Sequence, residues 1–111
     1  MARANRLGLA IALLLAASDA GHAQDASAID RGRQILEAHC ARCHAIGASD
    51  TSPLAQAPAL RQLRRKYPID SLAEALAEGI VTGHPGMPEM AFPPADITAI
   101  LTYLGSLPDP R

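Results

Sequence analysis

The chain has 111 residues, with 10 Lys or Arg against 11 Asp or Glu and a formal net charge of −1. That length allows one domain, and the near-neutral balance argues against nucleic acid as a partner. One Phe, two Tyr and no Trp leave large core-filling side chains scarce, so a domain this small needs a staple from elsewhere.

Residues 1–6 carry Arg3 and Arg6 and no acid, and Leu7–Ala17 is an apolar run without a charge. Small residues follow, with Gly21 and Ala23 at positions −3 and −1 of a cut before Gln24. Basic head, short apolar middle and small-residue exit predict a secretory signal peptide over residues 1–23, cleaved after about Ala23. The run is well short of the roughly 20 apolar residues a bilayer span needs. No stable membrane anchor is expected, and the mature chain, residues 24–111, is expected in the periplasm.

Gln24–Ser27 reads as a short disordered start. From Ala28, "AIDRGRQILEAH" predicts a helix with Ile29, Gly32 and Leu36 on one face. A mid-helix glycine costs about 1 kcal/mol against alanine; a close helix crossing or an incidental residue accounts for Gly32 equally well.

Ala45–Pro58 is rich in Gly, Ser, Asp and Pro and reads as a loop. "ALRQLRRKY" predicts a short helix, with Leu60, Leu63 and Tyr67 on one stripe, ending before Pro68. "SLAEALAEG" predicts another, with Ser71 and Glu74 in a capping-box pattern and Gly79 at the exit. Ile80–Pro94 holds four prolines and two glycines, which excludes a regular helix or a central strand. A last helix starts near Pro94, with Ile97, Ile100, Leu101 and Leu104 as its apolar stripe. The expected fold class is all-α with two long loops.

The chain's two cysteines lie in "HCARCH", residues 39–44. C-x-x-C-H is the attachment pattern for haem c. Cys40 and Cys43 would add across the two vinyl groups on one porphyrin edge, and His44 would bring an imidazole nitrogen to the iron. The porphyrin would also be the missing bulk. A thioredoxin-like pair needs a βαβ setting, which is absent. A zinc site drawing on His39, Cys40, Cys43, His44 or His84 lacks a second pair at ligand spacing. A plain disulfide suits an exported chain but leaves His44 without a role.

On "GRQILEAHCARCH", "APAL", "GHPGMPEM" and "ADITAILTYLGSL", the mature chain resembles the class I c-type cytochromes, the small single-haem bacterial members in particular. The resemblance implies about four to five helices wrapped around one covalent haem, with the first and last helices crossing. It further implies that Gly32 and Leu36 meet Ile100 and Tyr103 there. It also implies that the Pro58 carbonyl accepts the second N–H of His44, and that Leu60 packs on the porphyrin. Tyr67, Arg64 or Arg65 would hold a haem propionate.

His84, Met87 and Met90 are the candidates for the sixth iron position. The family pattern H-P-x-M-P selects Met87, before Pro88. Pro85 and Pro88 stiffen that stretch and reduce the entropy lost in fixing one sulfur. Met90 is read as packing and His84 as a structural or surface residue.

A His/Met-ligated haem leaves no open site for a substrate and has a raised reduction potential. The expected function is periplasmic electron transfer without enzymatic activity, with transient redox protein partners and the haem-ligation machinery met during maturation. Arg61, Arg64, Arg65 and Lys66 are candidates to orient the encounter. A dedicated subunit of a periplasmic dehydrogenase is one alternative. A haem sensor or peroxidase-like cytochrome with a labile Met87 is the other.

Overall fold

The computed structural model describes residues 4–80 and 84–109, with side chains from residue 20 onward. These residues form α1 (Ala4–His39), a 3-10 turn (Leu60–Gln62) that runs into α2 (Leu63–Lys66), α3 (Ser71–Glu78) and α4 (Pro94–Ser106). There is no strand among the described residues, so the fold is all-α, as expected.

α1 starts far earlier than residue 28. Gln24–Ser27, expected to be disordered, are helical. The reason lies in the sequence between Gly21 and Gly32. It has neither proline nor glycine and is rich in alanine, so nothing interrupts helix propagation. Of the expected signal segment, residues 1–3 and the side chains up to residue 19 lie outside the described residues. Among the described residues no helix is long and apolar enough to cross a membrane.

The core lies where α1 meets α4. Ile35 and Leu36 of α1, Leu60, and Ala99, Ile100, Tyr103, Leu104 and Leu107 in and after α4 form one buried cluster. The α4 stripe holds with one change of emphasis. Ile97, Ile100 and Leu104 are buried and Leu101 is half-buried, while Ala99 and Tyr103 join the buried face. Gly32 permits the contact. A Cβ there would stand 2.7 Å from the Ala99 carbonyl carbon and 2.8 Å from Tyr103 Cβ. Gly32 is therefore a crossing glycine, although its nearest partner is Ala99 rather than Ile100. Arg31 and Asp96 add an ion pair of 3.2 Å between the two helices.

α3 packs on α4, and Phe92 N–H donates to the Leu76 carbonyl at 2.9 Å. The Ser71–Glu74 capping box does not form; Ser71 is the first helical residue and the cap position falls to Asp70, whose side chain makes no cap bond. The Ser71 and Leu72 N–H groups already donate to the carbonyls of Pro68 and Ile69, both at 3.0 Å. The preceding turn thus satisfies donors that a cap would have served. Gly79 leaves the helix at φ +97°, as its placement suggested.

Candidate functional site

α1 ends in the cysteine motif. Cys40 N–H donates to the Leu36 carbonyl at 2.8 Å, and the N–H groups of Cys43 and His44 both turn back to the Cys40 carbonyl, at 3.1 and 2.9 Å. A tight turn therefore follows the helix, and it sets two sulfurs and one imidazole in a fixed relation. Both thiols are free and half-buried. Burial pushes the Cys40 thiol up to about 11, and proximity to Cys43 adds to the rise.

The loop after the motif is tied back onto it. Asp50 accepts the N–H groups of Ile46 and Gly47, at 3.2 and 2.9 Å, and Ser52 Oγ accepts that of Ala45 at 2.9 Å. Leu54 N–H reaches the Cys43 carbonyl at 3.1 Å, and Leu60 N–H reaches the Ala45 carbonyl at 2.9 Å. These bonds bring Pro58 against the buried ring of His44, whose Nδ1 stands 2.7 Å from the Pro58 carbonyl oxygen. A carbonyl can only accept, so Nδ1 carries the hydrogen and Nε2 presents a lone pair. Leu60 is buried in the core cluster beside this loop.

Facing His44 is the proline-rich segment. Met87 N–H donates to the His84 carbonyl at 3.1 Å, with Pro85 and Gly86 between them and Gly86 at φ +84°. This is a type II turn, which takes proline second and a positive-φ residue third. His84 and Met87 are its two ends. His84 reaches His44: their Nε2 atoms are 3.4 Å apart and their ring centroids 5.4 Å apart. Met87 and Met90 are half-buried nearby in sequence. His84, which the sequence suggests is a structural or surface residue, is brought against His44. The P-G pair at the centre of the turn was the signal that its two ends stand together.

Two arginines of the basic run bond within the fold. Arg61 donates to the Gly47 carbonyl at 3.2 Å and pairs with Asp50 at 3.4 Å. Arg64 donates to the carbonyls of Gly105 and Leu107, closing the last turn of α4. Its Nε is buried with no hydrogen-bond partner among the described residues. Tyr67 is exposed.

The donor set fits a haem c. It comprises two free thiols on one turn, an adjacent imidazole with its second nitrogen fixed to a carbonyl, and a turn whose His84 ring faces that imidazole and whose other end is Met87. Residues 27–104 match the family model described as cytochrome c oxidase, cbb3-type, subunit III. No curated protein and no solved structure matches the chain.

Proposed function

The chain belongs to the family of cytochrome c oxidase, cbb3-type, subunit III, and from that premise we propose that it is an exported single-haem electron carrier. The domain is a c-type cytochrome domain, and haem-based electron transfer is the chemistry of that domain. In the finer reading one haem would be held by thioether links to Cys40 and Cys43, and His44 and Met87 are the residues that would ligate its iron. A bound haem supplies a metal that cycles between the ferrous and ferric states.

The residues of the chain supply the rest. The turn after α1 holds the two thiols in register. The Pro58 carbonyl orients His44 and makes its Nε2 a better donor. The Met87 thioether, a soft ligand, favours the ferrous state. Tyr67, Arg64 or Arg65 would hold a haem carboxylate. The observation that supports this reading is the 2.7 Å contact of His44 Nδ1 with Pro58, because it engages one ring nitrogen and leaves Nε2 of the residue directly after the paired cysteines as the nitrogen that would bind a metal.

The test is expression with a signal-competent N-terminus and the haem-ligation machinery. The periplasmic protein is expected to be coloured and heavier by one haem, with neither thiol open to alkylation. Cys40→Ser with Cys43→Ser abolishes the attachment. A colourless wild-type protein with two reactive thiols overturns the reading.

The family is described by an oxidase subunit, which favours a second reading in which this domain serves a fixed enzyme partner. Co-purification with an oxidoreductase, surviving dilution, separates that reading from a diffusing carrier.

A further inference from the structure

We propose that His84 is a second distal ligand, competing with Met87 for the iron position opposite His44. This rests on the haem reading above and adds to it a ligand that the H-P-x-M-P pattern does not assign.

Two hydrogen-bond relations carry it. His44 Nδ1 faces the Pro58 carbonyl at 2.7 Å, and His84 Nδ1 faces the Pro85 carbonyl at 3.1 Å. Each ring thus turns Nδ1 toward a carbonyl and Nε2 toward the other ring. The two Nε2 atoms are 3.4 Å apart and the ring centroids 5.4 Å apart, so a donor of the proline-rich turn already stands opposite His44. Metal–imidazole bonds of about 2.0–2.1 Å place two trans nitrogens roughly 4 Å apart. A separation opened by about half an ångström would then seat a metal on both.

The turn makes this an exchange between neighbours. His84 and Met87 are the first and fourth residues of one hydrogen-bonded turn, a geometry that keeps their Cα atoms within about 7 Å. A small rotation of a single turn exchanges an imidazole for a thioether with no change elsewhere in the chain. The backbone bond from Met87 N–H to the His84 carbonyl, 3.1 Å long, holds the two residues side by side.

The test uses the haem-loaded protein with Met87→Leu, which keeps the side-chain volume and removes the sulfur, and with Met87→Ala in parallel. Covalent haem is first verified in the wild type. The expected result is that both ferric variants stay six-coordinate and low-spin, with an electron paramagnetic resonance spectrum of two nitrogen axial ligands. Adding His84→Ala to either then converts it to high-spin. A haem-bearing wild type whose Met87 variants are already high-spin overturns this inference and leaves the haem reading standing. So does a double variant that remains low-spin, since another donor would then be at work. A wild type without covalent haem overturns both together.

Discussion

Tyr103, in α4, donates its hydroxyl hydrogen to the carbonyl oxygen of Ile46 at 2.9 Å. That bond ties the last helix to the loop directly behind the cysteine motif, 57 residues away in sequence. The same loop carries Pro58, so α4 braces the carbonyl that orients His44. Removal of the hydroxyl in Tyr103→Phe leaves the Ile46 carbonyl short of a partner in a part-buried position. A loss of about 1–2 kcal/mol is expected, read from the midpoint of chemical unfolding. The phenol is held above its usual range, chiefly by burial and then by the Asp50 charge. The folded state therefore keeps its proton longer than the unfolded chain does. The stability this contributes is present below about pH 10 and is lost as pH rises through the folded value. In the Phe variant that alkaline fall is expected to be smaller.

Gly32→Ala tests the helix crossing. Alanine improves the helix by about 1 kcal/mol in isolation. Here its methyl group meets the backbone of Ala99, which has no rotamer with which to yield. Overpacking against backbone falls at the upper end of the usual range of about 1–3 kcal/mol, so a net destabilisation of about 2 kcal/mol is expected. Thermal unfolding of the variant measures it, and an unchanged or raised midpoint contradicts the crossing.

Cys40 in the haem-free protein is expected to react slowly. Its thiol, raised to about 11 mainly by burial, carries on the order of 100-fold less thiolate at pH 8 than the unfolded reference. Alkylation of a Cys43→Ala variant with iodoacetamide, native against denatured, reads the difference directly. The native rate should climb until pH approaches 11, because thiolate is the reacting form. The sign for stability follows: the contribution of this group is present below the unfolded value and is lost as pH rises toward the folded one.

Met87 and Met90 are separated by their effect on the haem. Met87→Ala is expected to lose the weak far-red band of sulfur-ligated ferric iron and to lower the reduction potential, since a thioether favours the ferrous state. Met90→Ala is expected to keep both. Loss of the band in Met90→Ala with its retention in Met87→Ala would transfer the role to Met90.

What is legible in the sequence divides along sequence distance. The cysteine motif, the α4 stripe and the breaks at Pro68 and Gly79 are local patterns, and all reappear in the fold. Gly32 was ambiguous because a glycine says only that a side chain is missing; the Ala99 carbonyl, in another helix, supplies the reason. Ser71 and Glu74 had the right spacing for a cap, but a turn beginning at Pro68 had already used the backbone donors. Arg64 donates to carbonyls 41 and 43 residues further along and so closes α4, and no local pattern encodes such a partner. The approach of His84 to His44 is likewise not local: the ring it faces lies 40 residues earlier.

The contact of Gly32 with Ala99 has a consequence for maturation. It is made of backbone and small groups alone, and so are the bonds that fold the loop onto Ala45 and Cys43. None of these contacts uses an atom of a prosthetic group, so in the proposed holoprotein the helix pair would frame the cysteine turn independently of the haem. A variant that loosens the helix pair should lower the yield of haem-bearing protein before it alters any property of the haem itself.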